Sequence, residues 1–96
     1  MAKGYWVVGV DVTNAENYPA YKAAAQPAYD KYGARFLVRG GEKSVVEGAG
    51  RDRVVVVEFA DIETARACYD SPEYAAARQI RQANAMSDFV IVEGAD

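Results

Sequence analysis

The hydrophobic pattern begins with a period of two. In residues 5–12, Trp6, Val8, Val10 and Val12 fall on one parity and Tyr5, Val7, Gly9 and Asp11 on the other, which predicts a strand. The period then lengthens. Thr13-Asn14-Ala15-Glu16 has capping-box spacing, Pro19 suits a first helical turn, and Tyr18, Tyr21, Ala25, Ala28 or Tyr29, and Tyr32 recur at helical intervals. Pro27 cannot donate a backbone hydrogen bond, so it is expected to bend or interrupt this helix, and Gly33 is a natural stop.

A second strand is predicted over residues 34–39. Gly40-Gly41 permits the positive φ of a tight hairpin, leading into a short strand over residues 43–47. Gly48-Ala49-Gly50 turns the chain again. Residues 53–59, Arg-Val-Val-Val-Val-Glu-Phe, form the most apolar strand and belong in the sheet centre. Asp61 can cap a helix over 62–69, and Ser71-Pro72 can cap another that runs to about residue 85. A last strand covers 88–93. The order is β-α-β-β-α-β with a split second helix and an extra hairpin strand. It predicts one α+β domain over residues 1–96, a ferredoxin-like sandwich with helices on one face of an antiparallel sheet.

Helices can cover only one face of such a sheet. Alternation assigns Trp6, Val8, Val10, Phe36, Val38, Val55, Val57 and Phe59 to that face. The other parity carries Val7, Leu37, Val54 and Val56, with Phe89 and Ile91 expected to join them. So large an apolar patch predicts a second copy packed face to face. Tyr5, Asp11, Arg35, Arg39 and Glu58 share that parity, and must satisfy one another or line a wet cavity once it is covered.

Composition narrows the function. The 96 residues are 51% hydrophobic and carry a net charge of −3 with no basic stripe, which argues against nucleic acid. No apolar stretch reaches transmembrane length and no leader opens the chain, so a cytoplasmic protein away from membranes is expected. There is no histidine, which removes the commonest general base and the commonest metal and haem ligand. Only Cys68, Met86 or a tyrosine is left as an axial ligand, so haem is disfavoured. Asp11, Glu47 and Glu58 lack recognisable metal-ligand spacing, and no bound cofactor is expected. Cys68 lies among alanines in a helix and reads as an inert thiol.

Several segments together resemble a known family. They are Tyr5-Trp6-Val7, Tyr18-Pro19-Ala20-Tyr21, Phe36-Leu37-Val38-Arg39-Gly40-Gly41, the valine run to Glu58-Phe59, Cys68-Tyr69-Asp70-Ser71-Pro72-Glu73-Tyr74, Arg78, and Val90-Ile91-Val92-Glu93-Gly94. Over nearly its whole length the chain is similar to family 1330 of the domains of unknown function. That resemblance implies the dimeric α-β barrel superfamily, in which two ferredoxin-like protomers pack their sheets together. The superfamily includes cofactor-free monooxygenases, isomerases, haem enzymes and stress-response proteins. The family itself implies no established activity, and fold alone does not transfer one.

The residues suggest a soft site. Arg39 offers a bidentate fork to an anionic or carbonyl group, and Glu58, once desolvated, can act as a general base. An enolisable substrate suits that pair. Whether the two side chains meet depends on strand register; the alternative is an ion pair stapling strands. Tyr21 and Tyr69, mid-helix, and Tyr5 and Asp11, on the first strand, are the candidate ligand-binding groups; the tyrosines offer an apolar body with a polar tip. Three classes stay open: a cofactor-free enzyme acting on a small carbonyl or enolisable compound, a non-catalytic ligand-binding module, and a structural or interaction dimer.

Overall fold

The computed structural model describes residues 2–95. Its elements run β1 (Gly4–Val12), α1 (Tyr18–Tyr32), β2 (Arg35–Arg39), β3 (Arg53–Phe59), α2 (Ile62–Asp70), α3 (Pro72–Asn84) and β4 (Ala85–Glu93). The strands form one antiparallel sheet in the order β2-β3-β1-β4. This is the ferredoxin-like βαββαβ arrangement, with the valine-rich β3 inside the sheet as its composition requires.

The core lies between the sheet and the helices. Trp6 pairs with Val57 on one side and Ile91 on the other, and its ring meets those of Phe59, Tyr74 and Phe89 at 5.0–5.1 Å. Its indole N–H donates to the Ala65 carbonyl at 2.9 Å, so the one polar atom of the side chain is satisfied. Buried Ala25 and Ala28 on α1 and Ala77 on α3 leave room for tyrosines to fill the helix layer.

Local chemistry sets the helix ends. Gly33 closes α1 in the left-handed region at φ 66°, where a glycine carries no Cβ penalty. The Asp61 carboxylate accepts from the Thr64 N–H at 2.8 Å and its hydroxyl at 2.6 Å, capping α2. Ser71 serves two helices: its hydroxyl donates to the Cys68 carbonyl at 2.7 Å and accepts from the Tyr74 N–H at 3.2 Å. At the far end of α3 the Asn84 carbonyl accepts from the N–H groups of Thr13 and Asn14.

Some expectations need correction. The capping box at residues 13–16 is not used: α1 starts after Asn17, which makes no side-chain cap, and Pro19 lies in its first turn. Helix α1 also continues through Pro27, whose ring points outward on an exposed position. No strand forms over residues 43–47. The outer edge of β2 is free, but residues 41–50 are all exposed and bury no apolar face against it, and residues 40–52 form an irregular connection. The last strand starts at Ala85, three residues early, because α3 passes into it without a loop.

The most consequential departure is a bulge. Phe36 lies opposite Val57, but Val38 lies opposite Val56 and Arg39 opposite Val55, so Leu37 is an extra residue in β2. Directly opposed residues share a face. The bulge therefore sends Val38 to the open face and Arg39 to the helix-covered face, the reverse of simple alternation. Phe89 and Ile91 also change sides: they lie opposite Val8 and Trp6 and pack against the core.

Asp61→Ala is expected to cost about 0.5–2 kcal/mol in urea unfolding, with Asp61→Ser recovering most of it because a hydroxyl can still accept from the Thr64 N–H. Equal losses for both substitutions would mean that the cap is not what stabilises α2.

Candidate functional site

Two sets of polar side chains lie on opposite faces of the sheet. On the open face, the Tyr5 hydroxyl donates to Glu58 at 2.9 Å and Arg35 approaches the same carboxylate at 3.9 Å. Further along, Arg51 from the β2–β3 connection bridges Asp11 at 2.9 Å and Asp88 at 3.1 Å. The Asp52 N–H also donates to Asp11 at 2.7 Å. That backbone hydrogen bond first, and Arg51 second, hold the Asp11 carboxyl below its ordinary value. The polar groups of this face thus satisfy one another within one chain. Around them Val7, Leu37, Val38, Met86, Val90 and Val92 remain exposed.

The covered face holds a cleft with an empty volume of about 450 Å³, counted out to its solvent-open mouth. Its floor is the inward parity of the sheet, chiefly Trp6, Val8, Val10, Val55 and Val57. One wall is α1, whose helical spacing puts Tyr18, Tyr21 and Tyr29 on a single stripe. The Tyr21 hydroxyl lies 2.6 Å from that of Tyr74 and 3.2 Å from that of Tyr29. Burial pushes all three phenols well above their ordinary range, so at neutral pH they are uncharged hydrogen-bonding groups.

The cleft also gathers positive charge. Arg39 packs its guanidinium over the Phe36 ring at 4.0 Å. Arg53, at the start of β3, and Lys22, on α1, complete the basic rim. Arg81 comes in from α3; it is only 4% exposed and its guanidinium lies 5.0 Å from the Phe89 ring. Among the described residues no carboxylate lines this cleft.

The expected site is therefore split. Arg39 and Tyr21 lie in the cleft, whereas Glu58, Tyr5 and Asp11 lie on the open face, so Arg39 and Glu58 do not meet. The bulge at Leu37 is the reason. Tyr69 does not line the cleft: it packs beside Trp6 and Phe89 with the Arg78 guanidinium 5.1 Å from its ring. Cys68 is buried, with its thiol pushed up to about 12 mainly by burial, so it is unreactive at neutral pH. Sequence reasoning passed over Lys22, Arg53 and Arg81. For Arg81 a signal existed: with Tyr74 and Ala77 it follows the spacing of a buried helical stripe.

A family model, Domain of unknown function (DUF1330), matches residues 3–95. The chain belongs to this family. No curated protein matches this DUF1330 chain in sequence. Among solved structures it is similar to a protein of unknown function from Rhodopseudomonas palustris, at 18% identity and TM-score 0.79, covering 99% of this chain and 84% of that one. It is also similar to SnoaB, a cofactor-independent oxygenase from Streptomyces nogalater, at 12% identity and TM-score 0.66, covering 100% and 96%. A third is a dimeric ferredoxin-like protein of unknown function from Thermobifida fusca, at 19% identity and TM-score 0.53, covering 99% and 92%. At these identities the likeness establishes the fold. Among the described residues no helix is long and apolar enough to cross a membrane.

The lowered Asp11 carboxyl makes a pH prediction. A carboxylate whose folded pKa is depressed contributes stability above its unfolded value, about 3.9, and loses it as pH falls through the folded value. Asp11→Asn should therefore shrink the gap in urea midpoint from the parent as pH drops from 6 towards 3. A gap that stays constant over that range would show that the Arg51–Asp11 contact has no charge-dependent role.

Proposed function

We propose that this DUF1330 protein is a homodimer, joined through the open sheet face, that binds a small molecule in the covered cleft of each protomer. The cleft carries the ligand reading: an aromatic, apolar enclosure with a few converging polar groups is the general form of a small-molecule site. A flat ring entering beside Tyr18 and Tyr21 would rest on Val8 and Val55. The open face carries the dimer reading, since its exposed valines, Leu37 and Met86 form one apolar surface and a structural neighbour is dimeric.

The chemistry that suits the cleft is cofactor-free action on a small carbonyl or enolisable compound. Arg39 would stabilise the negative charge of an enolate oxygen. Glu58 has no part in this, because it faces the other way and is engaged by Tyr5 and Arg35. The cofactor-independent oxygenase among the structural neighbours is a precedent for such chemistry on this fold. A second reading is a non-catalytic carrier of the same ligands, favoured by the lack of a carboxylate in the cleft.

Trp6 is the only tryptophan and lies on the cleft floor, so its fluorescence reports binding directly. Titration with 2-naphthoate and 2-acetylnaphthalene should give saturable quenching by at least one of them and a raised Tm. Arg39→Gln should weaken the response and Glu58→Gln should leave it intact. Loss of binding in the Glu58 variant, or no saturable response at all, would contradict the assignment to this cleft. Light scattering should give about twice the 10.4 kDa chain mass at micromolar concentration. Val90→Glu should reduce it to the monomer value while the far-ultraviolet spectrum is kept. A folded, monomeric parent protein would refute the dimer.

A further inference from the structure

We infer that Arg81 is the anion anchor of the cleft, and that the ligand enters already ionised, presenting the oxyanion of a small planar molecule to the inner guanidinium edge. The inference rests on the ligand reading of the cleft and names the ligand's chemical class.

Arg81 is the most deeply buried charge among the described residues, at 4% exposure. Its Nε and Nη2 are both buried without a hydrogen-bond partner, and the neutral Tyr74 hydroxyl beside the guanidinium supplies no counter-charge. The stack on Phe89 holds the plane of the guanidinium but accepts no hydrogen from it. Leaving buried donors of a charged group unmatched is expensive, and protein interiors rarely do so without a reason. Those two nitrogens form one edge of the fork, the edge that carboxylates and other oxyanions bind in bidentate fashion. Nothing in the cleft supplies the anion from the protein side, since no aspartate or glutamate lines it.

The same lining limits how the anion arises. Lys22, Arg39 and Arg53 are cations, and the buried tyrosines remain protonated at neutral pH. No group in this set can take a proton from a weakly acidic substrate. A compound that is ionised in water, such as an aromatic carboxylate or an acidic enol, avoids that step. The basic rim would draw it in and Arg81 would hold its oxygen, with the ring lying on the valine floor. The planar oxyanion is the shared chemistry, and an enolate or a carboxylate can supply it.

Two matched pairs of probes test this on the intact protein. 2-Naphthoate is compared with the neutral 2-naphthamide, and 2-hydroxy-1,4-naphthoquinone, ionised at pH 7, with the neutral 1,4-naphthoquinone. Binding is read by Trp6 quenching at fixed salt. In at least one pair the anion should bind about tenfold or more tightly, and Arg81→Met should bring that ratio close to one. The pair that responds identifies the oxygen as carboxylate or enolate. Anion and neutral probe binding alike, or a preference that survives in a folded Arg81→Met variant, would overturn the anchor while leaving the cleft as a ligand site. Binding by none of the four would overturn both. Should Arg81→Met fail to fold, a structure of the parent protein with the tighter anion decides: its oxygen within hydrogen-bond distance of Arg81 Nε or Nη2 supports the inference, and an oxygen placed elsewhere overturns it.

Discussion

Strand β1 is hydrogen-bonded on both sides, and that constraint governs the rest. Pinned between β3 and β4, it cannot slip by one residue without moving Trp6 from the core to the surface. Trp6 is 1% exposed, touches rings from both helices and strands, and donates to Ala65 on α2. A slip would forfeit that packing and bury Tyr5 and Asp11 in its place. The inward and outward assignments in β1, β3 and β4 follow from this register, and the bulge at Leu37 sets those at the end of β2.

The two faces then differ in how their polar groups are settled. Outside, Glu58 with Tyr5 and Arg35, and Asp11 with Arg51, are paired within the chain, so a second copy can cover the neighbouring valines without stranding a charge. Inside, the tyrosine hydroxyls bond to one another, but Arg81 keeps two donors unmatched. A domain of this size has little stability to spare, and an unmatched buried guanidinium is a cost that a ligand would offset. The physical asymmetry between faces is what separates association from ligand binding in this account.

The sequence was most readable where one face of an element is buried. The alternation in β1, the tyrosine and alanine stripe of α1, and the caps at Asp61 and Ser71 all carry strong local signals, and the element order followed from them. Legibility failed where one extra residue matters. Nothing in Phe36-Leu37-Val38-Arg39 marks Leu37 as a bulge, because all of its apolar neighbours suit either face. That single ambiguity put Arg39 on the same face as Glu58 by alternation and on the opposite face in the fold. Phe89 and Ile91 were misplaced for a related reason: a strand that begins directly from α3 has no turn to set its phase. Arg81 was overlooked because charged residues on helices usually face water, although its spacing from Tyr74 and Ala77 placed it on the buried stripe.

Methyl NMR of valine-labelled protein tests the division of labour between the faces most directly. On dilution through the dimer range, the methyls of Val7, Val90 and Val92 should shift while those of Val8 and Val55 stay fixed. Addition of a bound aromatic probe should produce the reverse set of shifts. Probe-induced changes centred on Val7, Val90 and Val92, or dilution-induced changes centred on Val8 and Val55, would contradict the account.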